Sequence, residues 1–186
     1  MSHIIELRGL AKTYRKGPQA LAGVDLDVPE SSRFTLLGAN GAGTSTLVRI
    51  LCTLLHADVG SATICGQSLS GGNKRRLHVA LALVHQPRVL FLDEPTVGMD
   101  PESRAAFWAE LRRLNTEEGT TVFFTTQYLE EAGKHGDQLA LIATGRIAYR
   151  GTVKEFSDAH GGPDGDLEAG YLNFLAQTKD KEPVNA

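Results

Sequence analysis

The run Gly38-Ala39-Asn40-Gly41-Ala42-Gly43-Thr44-Ser45-Thr46 follows a buried-looking apolar segment and opens an amphipathic one. Glycines let a backbone close around an anion, and the free N–H groups and positive dipole end of a following helix point at it. The chemistry implied is phosphate binding, with Ser45 offering its hydroxyl to Mg²⁺. Without that strand-loop-helix context the same residues would be a glycine turn that caps a helix and binds nothing. Such a loop normally carries lysine where this chain has Thr44, a point charge for the outer phosphates. Unit charges about 4 Å apart at an effective dielectric of ~20 attract by ~4 kcal/mol before desolvation. Its loss weakens binding by on the order of a hundredfold or more.

A second group of reactive residues closes the segment Val89-Leu90-Phe91-Leu92-Asp93-Glu94-Pro95. Two acids at the end of an apolar strand lie where ligands approach the carboxyl ends of parallel strands. Asp93 suits indirect coordination of Mg²⁺, and Glu94 suits polarising an attacking water as general base. Read alone, the pair would be a solvated turn. It is preceded by Leu69-Ser70-Gly71-Gly72-Asn73, just before a helical stretch carrying Lys74, Arg75 and Arg76.

The elements that must hold these residues can be read from periodicity. Phe34 to Leu37, Val89 to Leu92, Val122 to Phe124 and Leu139 to Ile142 suit strands buried on both faces of a parallel sheet. Leu47, Ile50, Leu51, Leu54 and Leu55 recur at helical spacing, as do Leu77, Ala80, Leu81 and Val84. A third helix is expected to begin at Asp100-Pro101, with Asp as cap, and to bury Phe107, Trp108, Leu111 and Leu114. Ile4 to Arg8 and Leu21 to Val28 read as antiparallel strands joined through Lys16-Gly17-Pro18. Strand-helix alternation implies an α/β fold. After the Gly161-Gly162-Pro163-Asp164-Gly165 break, a short amphipathic piece carries Leu167, Tyr171, Phe174 and Leu175.

Composition fits this picture. With 186 residues, 41% hydrophobic and 22% charged, the chain is long enough for one core and has the balance of an ordinary soluble domain. A net charge of only -3 gives no broad basic field, which argues against nucleic acid as a partner. Cys52 and Cys65 have no metal or redox spacing and read as small core residues in a reducing compartment. Nothing in Met1 to Gly9 resembles a secretion signal, and no apolar run approaches the ~20 residues that span a bilayer. The six histidines are scattered, and none is given a catalytic role.

The order of phosphate loop, Leu-Ser-Gly-Gly signature, carboxylate strand and Gly98-Met99-Asp100 turn resembles the nucleotide-binding domain of ABC transporters. The resemblance implies an ABC-type P-loop NTPase: a mainly parallel core sheet flanked by helices, and a small N-terminal antiparallel β lobe. It implies ATP and Mg²⁺ as ligands, Tyr14 stacked on adenine, and Asp100 in the D-loop. Leu69 to Asn73, with Ser70 foremost, would serve the γ-phosphate held by a second ABC ATPase subunit, in a homo- or heterodimer. Thr125 to Ala132 is similar to the family's switch region, with Gln127 where most members carry His. The phrasing is similar to the daunorubicin-resistance branch of bacterial drug exporters. The expected partner is then an integral membrane permease, and the expected location the cytoplasm, peripheral at the inner face of the membrane.

Against the family pattern, the short stretch from Thr46 to Leu69 lacks the glutamine loop and the helical lobe that docks on the permease. Gln67 runs directly into Ser68 and the signature, and reads as a turn residue. The lost strand would lie beside Val89 to Leu92, leaving that segment as an apolar edge. The expected division is an ATPase domain over 1–157 and a tail over 158–186. Within the former, the β lobe takes about 1–32 and 57–67, and the P-loop core 33–56 and 68–157. The function expected is the ATP-binding subunit of an ABC exporter with impaired hydrolysis. The alternative is a non-catalytic pseudo-ATPase that binds nucleotide or a partner subunit. A small GTPase is disfavoured because Asn73-Lys74 is followed by Arg75-Arg76, leaving no guanine-recognition motif.

Overall fold

The computed structural model describes residues 2–15, 17–69, 87–162 and 166–179. Among the described residues nine strands fall into two sheets, named in chain order: β1 His3–Thr13, β2 Gln19–Pro29, β3 Arg33–Leu37, β4 Val59–Ile64, β5 Gln67–Ser68, β6 Val89–Asp93, β7 Thr121–Thr126, β8 Gln138–Ala143 and β9 Arg146–Thr152. The first sheet, ordered β2-β1-β4-β5, is antiparallel and forms the lobe. The second, ordered β6-β7-β3-β8-β9, is parallel except for β9. The described helices are α1 Thr44–Leu51, α2 Pro101–Glu118, α3 Leu129–His135, α4 Val153–His160 and α5 Leu167–Lys179.

The central strands β3, β7 and β8 are buried on both faces, which is why their middles are mainly apolar. Successive side chains alternate between faces. Phe34, Leu36, Phe123, Ala140 and Ile142 join the lobe and α1 in one core, in which Phe34 and Phe123 stack with ring centroids 5.5 Å apart. On the opposite face Val122 and Phe124 pack with Trp108 and Leu111 of α2. Leu37, Leu139 and Leu141 meet Phe156 of α4, with Leu167, Tyr171 and Phe174 of α5 against them. Residue 157 itself lies within α4.

Several expectations meet the structure differently. The stripe through Leu54 and Leu55 overruns α1, which stops at Leu51 because Thr53 takes φ 56, leaving Leu54 69% exposed. Gln67 closes the tight turn through Cys65 and Gly66, pairing with Ile64 as the first residue of the short strand β5. The helix expected around Leu77 to Val84 lies outside the described residues. Among the described residues β6 has β7 as its one ladder neighbour, with Leu90, Phe91 and Leu92 half-buried.

Candidate functional site

The registers Asp93↔Thr125 and Leu37↔Thr126 bring the carboxyl ends of β6, β7 and β3 to one rim. The glycine loop leaves β3 at this rim and enters α1, whose N-terminal residue is Thr44. Its backbone tolerates no side chain at two points. A Cβ on Gly43, at φ 109, would lie 2.5 Å from the carbonyl oxygen of Ala20, and one on Gly38 would lie 2.7 Å from Cγ2 of Ile142. Ala42 N donates to Ala39 O at 2.9 Å, and Gly145 N donates to Ala42 O at 3.0 Å, fixing the loop against the β8–β9 turn. Ala39, Asn40 and Gly41 complete this loop, with Asn40 and Gly41 exposed. The result is a close-packed glycine loop leading into a helix N-terminus, a setting of the kind that receives anions.

Oxygen-bearing side chains converge beside it. Ser45 Oγ donates to Asp93 Oδ1 at 3.4 Å, and Thr125 Oγ1 donates to the same oxygen at 2.6 Å. Glu94 follows at φ 45, its N–H bonded to Thr125 Oγ1 at 3.0 Å. Gln127 Nε2 donates to Glu94 Oε2 at 3.2 Å. Tyr14, just over a third exposed, shares a hydrogen bond of 3.3 Å with Thr46 Oγ1 at the end of the loop. Hence Tyr14, Thr46, Ser45, Asp93, Glu94 and Gln127 border one rim. The negative charge there is felt by Cys52 at the end of α1, whose thiol is pushed up by burial and by Asp93.

Hard carboxylate and hydroxyl oxygens match Mg²⁺. Among the described residues there is no cluster of three or more His, Cys, Asp or Glu that could hold a metal. Asp100 acts as a helix cap: its carboxylate accepts the N–H groups of Glu102 and Ser103 at 3.0 Å each, and the Ser103 hydroxyl at 2.6 Å. The hydroxyl and amide bonds hold it below its ordinary range. Leu69 N donates to Ala62 O at 2.9 Å, tying Leu69 to the lobe, whereas Ser70, Gly71, Gly72 and Asn73 lie outside the described residues. Sequence reading placed Thr125 in the switch-like stretch without giving it a role; its hydroxyl donates to Asp93 and accepts the N–H of Glu94. A polar pair ending an apolar strand, Thr125-Thr126, was the available signal.

The sequence model of the ABC transporter family matches residues 21–69 and 62–97. The daunorubicin/doxorubicin resistance ATP-binding protein DrrA of Streptomyces peucetius is 33% identical over 225 residues, covering 84% of this chain and 68% of that relative. The chain belongs to the ABC transporter ATP-binding family. Its likeness is to the DrrA branch, since DrrA3 of Streptomyces coeruleorubidus is 32% identical over 90% of this chain and 75% of its own. In fold it is similar to a dimeric ATP-binding cassette bound to ADP and Pi, with a TM-score of 0.68 at 19% identity, over 80% of this chain and 98% of that one.

This ABC chain is shorter in its interior than its relatives. An alignment of 225 residues on a chain of 186 must pass over positions that only the relative has. The family match comes in two pieces that meet at residues 62–69, which places the gap between β4 and the signature. No described helix is long and apolar enough to cross a membrane.

Proposed function

We propose that this chain is the ATP-binding subunit of an exporter of the daunorubicin-resistance type, holding MgATP weakly and hydrolysing it poorly. The observation that carries the reading is the 3.4 Å contact of Ser45 with Asp93 beside a loop that admits no side chain at Gly38 or Gly43. Gly38 to Thr46 would wrap the phosphates, Tyr14 would cover adenine, and Ser45 and Asp93 would hold Mg²⁺. When bound, Mg²⁺ would supply Lewis-acid stabilisation of phosphate charge. Glu94 is placed to accept a proton from water, and Gln127 orients it without being able to take up a proton itself. By family likeness the chain works with a second ABC ATPase subunit, whose site Ser70 and Asp100 would serve. It would act with a membrane permease at the cytoplasmic face. The domain is taken as 1–157, with 158–186 as a tail.

A second reading, a non-catalytic pseudo-ATPase, is favoured by two observations: Thr44 stands where a cation belongs, and the interior gap falls where the glutamine loop and docking lobe would be. Titration of labelled ATP with and without Mg²⁺ separates the two. Saturable binding that requires magnesium supports the first. No binding at millimolar nucleotide leaves a chain that engages only protein.

A further inference from the structure

Glu131 is only 6% exposed, and a carboxylate taken out of water must be compensated. It is the third residue of α3, so the bland account is an acid favoured at a helix start. Its side-chain bonds point elsewhere. Oε1 accepts the hydroxyl of Thr96, and Oε2 accepts that of Thr126 at 3.0 Å. Arg104 Nε of α2 lies 3.9 Å from Oε1, while its Nη2 donates to Met99 O at 3.4 Å. The Thr126 hydroxyl, having given its single proton to Glu131, accepts the N–H of Tyr128 at 3.0 Å. Thr96 and Thr126 are themselves 1% and 3% exposed.

These bonds join the two turns that carry the rim. Thr96 lies two residues beyond Glu94, and Gln127 sits between Thr126 and Tyr128. The Glu94–Gln127 hydrogen bond is exposed, and such a bond contributes little by itself. Its geometry therefore depends on where the two backbones are held. We infer that Glu131 is the positioning residue that sets Gln127 against Glu94, by latching both turns to one buried carboxylate. This rests on the reading of Glu94 and Gln127 as the groups facing the attacking water.

The test uses the ¹⁵N-labelled full chain and the Gln127 carboxamide resonance, assigned by its loss in Gln127→Glu. In the wild type, Glu94→Gln shifts that resonance, because the two side chains touch. In a Glu131→Ala background the response of Gln127 to Glu94→Gln is lost. Glu131→Gln, which keeps the size and one acceptor oxygen, restores part of it. Thr126→Val, of nearly the same shape, cuts the Gln127 branch alone and serves if Glu131→Ala fails to fold. A response equal to that of the wild type in Glu131→Ala or in Thr126→Val overturns the inference, as does no response in the wild type. MgATP titration of the same samples keeps the two readings apart: loss of binding in every sample sinks the ATPase reading while the carboxamide still decides the role of Glu131.

Discussion

His135 shows how one residue can carry a measurable signature without any part in the chemistry. Its ring stacks on Trp108 with centroids 4.2 Å apart and an interplanar angle of 5°. Burial, helped by the charges of Lys134, Arg112 and Arg33, pushes its pKa down to about 4, from an ordinary 6.5. Above pH 6.5 folded and unfolded chains both hold it neutral, and it contributes no pH dependence. Between those values the unfolded chain binds a proton that the folded chain refuses, so stability falls as the pH drops through this window and levels off below it. Carboxylates lowered by a partner, such as Asp58 beside Lys12, lose their contribution at lower pH. A proton NMR titration should place His135 near 4. The loss of thermal midpoint between pH 6.5 and 4.5 should be smaller in His135→Phe. Titration near 6.5 would contradict the packing of α3 on α2.

At the scale of elements, α2 depends on its first turn. Asp100 accepts two backbone N–H groups that have no partner within the helix, and Pro101 supplies the first helical φ. Asp100→Ala should lower the urea midpoint of unfolding, because two N–H groups lose their acceptor. An unchanged midpoint would mean that water caps the helix as well as the carboxylate does. This helix was legible because its start signal is local in sequence, and so were the strands, whose apolar runs reflect burial on both faces. The exact end of α1 was not legible, because the stripe gives no sign that Thr53 turns left-handed. Strand β9 and helix α4 were also missed: β9 alternates half-buried and exposed residues, and the Thr152–Glu155 capping box at the start of α4 went unread. At the site, the motif residues are consecutive in the chain and could be read directly. The group formed by Thr96, Thr126 and Glu131 could not, since it exists only once β6, β7 and α3 are adjacent.

For the whole molecule the interior gap matters more than any single side chain. The lobe, α1 and the parallel sheet share one core, so the fold closes without the missing segment. Coupling to a permease needs contacts that differ between nucleotide states. Under the proposed function those contacts would belong to the interior segment that the relatives have and this chain lacks. Reconstituted in liposomes with a drug-exporter permease, even the Thr44→Lys chain should give no ATP-dependent transport above the no-ATP control; transport would show that the short connection through Gln67 and Ser68 suffices. As proposed, the rim is a phosphate site whose loop lacks its cation, and paired MgATP titrations of the wild type and Thr44→Lys test this. Thr44→Lys should bind MgATP at least roughly tenfold more tightly, from a charge-assisted contact of more than ~1.4 kcal/mol. An unchanged affinity would contradict it, because a loop shaped to hold phosphates cannot be indifferent to a lysine at that position.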